Sequence, residues 1–206
     1  MFYPKKSKPS LDDIFKDLDH PNPNINKKAC SNMVSYWPEA SIERLIGNLY
    51  QKDLVLRRKS VKALGCFGDS ALLPVARLFM DNNDVIVRTS CLKVFVKIAA
   101  IEKYDLFPKT LLEVVNLSLK DNNPQISLLV VSLLRQLGKQ GLPLLIKNSR
   151  DKNILLAKAS VTAIGEIVDP SSWNCLRALE DDSSLDDLIR ESVIYSLENY
   201  KIICDN

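Results

Sequence analysis

The chain has 206 residues, 46% apolar and 26% charged, which fits a domain able to bury a continuous core and excludes a collagen, a low-complexity coil or a disordered tail. Lysine plus arginine exceed aspartate plus glutamate by 28 to 25, and a net charge of +3 is too small to announce a nucleic-acid partner. No apolar run reaches the ~18 residues of a membrane span, and the lysines behind Met1 are followed by no apolar segment, so neither a span nor a signal peptide is expected and a cytoplasmic protein is.

Taken in chain order, residues 1–10 are expected to form a flexible basic tail and residues 11–206 a single repeat domain. Apolar residues recur at helical spacing throughout and only six glycines are present, which points to an all-α fold. An internal repeat is anchored at Asn26, Arg57, Arg88, Ser127, Ala157 and Arg190, at intervals of 31, 31, 39, 30 and 33 residues. A large aliphatic residue precedes every anchor. Four residues after it stand Cys30, Val61, Leu92, Val131, Val161 and Ile194, and seven after it Met33, Leu64, Phe95, Leu134, Ile164 and Leu197. These positions form one apolar face of a helix, written six times.

Four residues before the anchors lie Asn22, Asp53, Asp84, Asn123, Asn153 and Asp186, whose side chains accept the orphan N–H groups of a helix start. The other helix of each pair is predicted over 11–18, 41–50, 69–80, 107–119, 141–149 and 171–179, mostly with a proline near its start, where a missing N–H costs least. Two helices per repeat, each pair touching its neighbours, predict a right-handed α-solenoid of about six pairs. Aspartate occupies the cap where the anchor is arginine, in Asp53/Arg57, Asp84/Arg88 and Asp186/Arg190, and asparagine where it is neutral. This correlation predicts a structural ladder in which carboxylate and guanidinium meet.

Chemistry by a catalytic side chain is not expected. The five cysteines, at 30, 66, 91, 175 and 204, are odd in number and form no Cys-x-x-Cys pair, so they read as reduced thiols mostly in the core, Cys66 and Cys91 among them. His20 is the single histidine and sits in a proline- and asparagine-rich turn, which leaves no histidine-based metal site and no oriented general base. No glycine-rich phosphate loop is present.

The stretch Ala63-Leu-Gly-Cys-Phe-Gly-Asp-Ser-Ala-Leu-Leu-Pro, continuing through Met80-Asp-Asn-Asn-Asp-Val-Ile-Val-Arg88, resembles the HEAT-like repeat of the phycobilin lyase E/F family. Ala163-Ile-Gly-Glu-Ile-Val-Asp with Leu179-Glu-Asp-Asp repeats it, and the resemblance runs from about Leu11 to Tyr200. The opening Leu18-Asp-His-Pro-Asn-Pro-Asn, the Tyr104-Asp-Leu-Phe-Pro insertion and the length are similar to the smaller Z-type members associated with phycoerythrin. The resemblance implies a role in attaching bilins to phycobiliprotein cysteines. It leaves open a lyase subunit and a chaperone of the apo-subunits. A phycoerythrobilin-like phycobilin would be a transient ligand, with no permanently bound cofactor, and the partners would be a phycoerythrin apo-subunit and a second HEAT-like lyase subunit. A HEAT-like interaction scaffold without ligand chemistry is the alternative.

Positions one, two and five after the anchor are not used by the apolar face and are expected to line the groove of the stack. They include Lys27, Arg58, Lys59, Lys62, Lys93, Leu128, Leu129, Lys158 and Tyr195. A bilin is an extended tetrapyrrole with two carboxylates, so lysines beside an apolar strip are the chemistry it needs. Residues 180–206 hold eight acids and two bases, leaving a net +9 on the remainder, so the groove is expected to be basic toward its amino-terminal half.

Overall fold

The computed structural model describes residues 8–102 and 108–205. Residues 1–7 of the expected tail, and the 103–107 part of the insertion before the fourth repeat, lie outside the described residues. Twelve α-helices and no strand are found among the described residues, in two compact units, 1–98 and 99–206. The first contains α1 (Leu11–Asp19), α2 (Pro23–Tyr36), α3 (Pro38–Leu49), α4 (Leu54–Gly65), α5 (Asp69–Met80) and most of α6 (Val85–Ile101). The second contains α7 (Lys109–Ser118), α8 (Pro124–Gln136), α9 (Leu142–Asn148), α10 (Ile154–Gly165), α11 (Pro170–Glu180) and α12 (Asp187–Asp205). In order they make six helix pairs, the all-α solenoid arrangement.

All six caps form. Asn22, Asp84, Asn123 and Asp186 each accept the N–H two residues on, at 2.9, 2.7, 2.9 and 2.9 Å. Asp53 and Asn153 accept two each, from Val55 and Leu56 and from Leu155 and Leu156. α3 begins at Pro38, earlier than expected, because a proline in the first turn forfeits no hydrogen bond there. Gly68 precedes α5 at φ 52°, a left-handed conformation that a side chain disfavours.

The apolar faces pack largely as the spacing predicts. Every residue seven after an anchor is buried, from Met33 to Leu197. The position three after the anchor is buried in all six repeats, as Ala29, Ser60, Cys91, Val130, Ser160 and Val193. Glycines eight residues after the anchor let second helices approach closely: a Cβ on Gly65 would lie 2.9 Å from Lys97 Cβ on α6, and one on Gly165 2.7 Å from Ser196 Cβ on α12. In the second unit α8, α10 and α12 pack side by side, and α9 packs on α11. One core expectation is corrected. Ile194 is 48% exposed, because Val193, Ser196 and Leu197 define the packed side of α12 and Ile194 lies about a third of a turn off it.

The expected pairing is also corrected at Asp53/Arg57 and Asp186/Arg190. The carboxylates of Asp53 and Asp186 are spent on their helix caps, and the anchor guanidinium groups turn to backbone carbonyls just before the cap. Arg57 donates to Gln51 O at 2.5 Å, and Arg190 to Glu180 O and Asp182 O at 3.2 and 2.8 Å. Asn26 does the same in the first repeat, donating to Asp17 O, Leu18 O and His20 O. The anchor therefore closes the end of the preceding helix and its turn, where carbonyls lack intrahelical partners. In the Asp84/Arg88 pair the carboxylate caps α6 and the guanidinium lies 4.5 Å from the Phe79 ring centre.

Ion pairs do link repeats, through other residues. Asp12 meets Arg44 at 2.7 Å, Lys139 meets Asp169 at 3.1 Å, and Arg135 pairs with Glu166 and Arg150 with Asp182, each about one repeat apart in sequence. Such partly exposed pairs contribute roughly 0.2 to 1 kcal/mol and serve register more than stability. The Arg150 guanidinium, with Ser184 assisting, holds the Asp182 carboxyl down at about 2. A depressed carboxyl stabilises the fold above its ordinary value and loses that contribution as the pH falls through its folded value. Arg150→Ala is therefore expected to raise the Asp182 titration midpoint toward the ordinary 3.8 and to remove part of the acid-side stability slope between there and about 2. Carbon-detected NMR titration of the Asp182 carboxyl checks this, and an unmoved midpoint would show that Arg150 is not the cause.

Candidate functional site

The first unit contains a cleft of about 720 Å³ lined from α1, α2 and α4. Lys27, Cys30, Ser31 and Val34 reach it from successive turns of α2. Lys59, Lys62 and Cys66 stand three and four residues apart along α4 and its end, hence on one face. Leu18 and Pro23 supply apolar wall from the α1–α2 corner. The size is that of a small-molecule site, and the lining combines apolar surface with three cations.

The electrostatics are one-sided. Lys59 Nζ is tied to Asp19 Oδ1 at 2.7 Å, which anchors α4 to the end of α1. Lys27 and Lys62 form no ion pair among the described residues. At the α4 wall the Cys66 thiol is pulled down to about 7, first by the hydrogen bond it shares with Cys30 and then by the Lys62 and Lys97 ammonium groups, with burial opposing. The same contact and burial push Cys30 up. A protonated Cys66 donates to Lys62 O at 3.6 Å.

The structure thus brings Lys27, Lys59 and Lys62 together and leaves Arg58 and Lys93 exposed outside the cleft lining. The remaining candidates lie in the second unit. Leu128 on α8 is exposed and Leu129 half-buried, Lys158 on α10 is half-buried, and Tyr195 on α12 is exposed. The expectation of thiols mostly in the core is corrected: Cys30 and Cys91 are buried, Cys175 is half-buried and Cys204 is exposed, as is Cys66 in the cleft. A usable signal exists for it: Cys66 stands nine residues after Arg57, half a turn round from the anchor and so off the buried side. Its approach to Cys30 depends on how α2 and α4 pack, and no spacing rule reveals that.

Other conspicuous residues are structural. His20 Nδ1 accepts the Asn22 N–H at 3.0 Å within the α1–α2 turn. Trp37 Nε1 donates to Pro9 O at 2.9 Å, and Trp173 tilts against Tyr200 with ring centres 5.7 Å apart. Among the described residues no three His, Cys, Asp or Glu side chains gather to hold a metal ion, and no helix is long and apolar enough to cross a membrane.

No family model matches the chain. It is 27% identical over 184 residues to the bilin biosynthesis protein CpeZ of Synechococcus sp. (strain WH8020), covering 86% of this chain and 99% of that protein. It is 24% identical over 195 residues to the phycocyanin operon protein Z of Pseudanabaena tenuis (strain PCC 7409), covering 94% of this chain and 96% of that protein. Among solved structures it is similar to a designed armadillo repeat protein in complex with a (KR)4 peptide, at 16% identity and a TM-score of 0.47 over 93% of this chain and all of that one. It is also similar to human deoxyhypusine hydroxylase, at 16% identity and a TM-score of 0.40 over 93% of this chain and 84% of that one. Both relatives are matched along nearly their whole length, so the chain is similar to the bilin biosynthesis protein CpeZ and to the phycocyanin operon protein Z from end to end.

Proposed function

We propose that this protein is a phycobiliprotein maturation factor that holds a bilin, a phycoerythrin apo-subunit or both, and assists covalent bilin attachment as a lyase subunit or chaperone. The observation that carries this reading is the α1/α2/α4 cleft, where Lys27, Lys59 and Lys62 surround an apolar strip of Leu18, Pro23 and Val34. An extended tetrapyrrole with two carboxylates asks for that combination, ammonium groups for its acid ends and apolar surface for its conjugated body. The names of the two sequence relatives point to the same pigment chemistry. Attachment needs the bilin's reactive carbon held near an acceptor thiol on the apo-subunit. A protein that positions the two lowers the barrier by orientation.

The double reversal Lys27→Glu with Lys62→Glu changes the cleft charge by four units. It is expected to weaken phycoerythrobilin binding, followed by absorbance titration, on the order of tenfold or more, equivalent to ~1.4 kcal/mol or more, while circular dichroism stays the same. Arg58→Glu with Lys93→Glu, outside the cleft lining, is expected to change binding far less. Unchanged affinity in the cleft reversal, together with unchanged pigment loading of a co-expressed phycoerythrin apo-subunit, would replace this reading with the interaction scaffold.

A further inference from the structure

Two thiols, Cys30 and Cys66, line the cleft. Cys30 belongs to the buried face of α2 and lines the same cleft as Cys66. Cys66 is exposed at the end of α4, on the wall that also carries Lys62. Lys97 of α6 backs onto Gly65, the residue next to it. The groups facing Cys66 are therefore Cys30 from α2, Lys62 from α4 and Lys97 from α6, one weak donor and two cations. The nearby carboxylate, Asp19, is engaged with Lys59.

We propose that Cys66 is a reactive thiol that adds reversibly to a conjugated, carboxylate-bearing ligand held in the α1/α2/α4 cleft, with Cys30 as the hydrogen-bond donor to its sulfur. Three features select the ligand class. The lysines choose carboxylates, the apolar wall chooses a flat or extended body, and a thiolate chooses a soft electrophile such as an electron-poor alkene in conjugation with a carbonyl. A bilin satisfies all three, so the assignment rests on the maturation reading above and deepens it. In the step itself the Cys66 Sγ lone pair forms a C–S bond to the terminal alkene carbon. The C=C π pair moves into the conjugated system, and the proton given up by the thiol returns from solvent to carbon. The net change is addition of S–H across C=C, with no oxidant, reductant or leaving group. Elimination reverses it, so the ligand is carried and handed on.

The other cysteines set the contrast. Cys91, sealed in the core, is pushed up to about 12 by burial, and burial also pushes Cys175 up. At neutral pH Cys66 is expected to react with iodoacetamide at least tenfold faster than Cys175, with a half-maximal rate below the ~8.5 of a free thiol. Cys30→Ala is expected to move that midpoint upward by removing the S–H donor, and an unmoved midpoint would overturn the role given to Cys30.

The deciding experiment incubates the full chain with phycoerythrobilin under phosphine reduction and reads two quantities. Absorbance gives the total bilin bound, and mass spectrometry after acid denaturation gives the share that is covalent. One bilin mass on Cys66 is expected, removed by excess mercaptoethanol and unaffected by Cys204→Ser. In Cys66→Ser the covalent share of the bound bilin is expected to fall more than tenfold. Bilin that binds the parent protein without any adduct, or an adduct that survives Cys66→Ser, overturns the thiol assignment and leaves the maturation reading standing. No bound bilin of either kind overturns both.

Discussion

Leu92→Ala and Ile164→Ala are each expected to cost ~2 to 5 kcal/mol of stability. Both side chains are fully buried, one on α6 in the first unit and one on α10 in the second. They stand four and seven residues after their anchors, so together they test two different positions of the repeating face. Alanine removes methylene and methyl groups from close-packed surroundings and leaves a cavity that neighbouring helices close only in part. Ile194→Ala supplies the matched control, because its side chain is half in solvent and its truncation is expected to fall within ~0.5 kcal/mol. Urea unfolding reads the differences as shifts in midpoint at constant slope. Losses below ~0.5 kcal/mol at both core positions would show that the repeat face has been misassigned.

The same substitution at two glycines is expected to change stability in opposite directions. Gly165→Ala would place its Cβ 2.7 Å from Ser196 Cβ and 2.9 Å from Ser196 O, against the α12 backbone as well as a side chain. A methyl group there forces α10 and α12 apart, and overpacking of this kind costs ~1 to 3 kcal/mol. Gly47 lies inside α3 with open space where a Cβ would stand. Gly47→Ala is expected to stabilise by ~0.4 to 1 kcal/mol, because alanine loses less backbone entropy on entering a helix. Thermal unfolding distinguishes the two, and midpoint shifts of the same sign would contradict the packing described for α10 on α12.

A consequence of the proposed function is that binding and stability are expected to separate along the second helices. Lys62 lines the cleft while its neighbour Val61 is buried, so adjacent residues on α4 serve different ends. Val61→Thr is expected to destabilise the first unit, since it places a hydroxyl in an apolar site, with little direct effect on bilin affinity. Lys62 is exposed, so changes there are expected to leave the core alone.

What the sequence determined by itself is what can be settled within a turn or two of chain. Each cap side chain reaches an N–H only two or three residues away, so Asn22, Asp53, Asp84, Asn123, Asn153 and Asp186 mark helix starts that the structure reproduces. Burial seven residues after the anchors follows from helix periodicity in the same way. Three lysines of the cleft were visible for a related reason, since they occupy positions the apolar face leaves free. The tertiary structure decided which groups meet across helices. It gave Arg57 and Arg190 to backbone carbonyls, joined Asp12 to Arg44 and Arg150 to Asp182 one repeat away, turned Ile194 outward, and set Cys66 beside Cys30. Those contacts depend on the rotation and stagger of one helix against another. A few degrees of either moves a side-chain tip by ångströms, while the hydrophobic pattern along each helix stays the same.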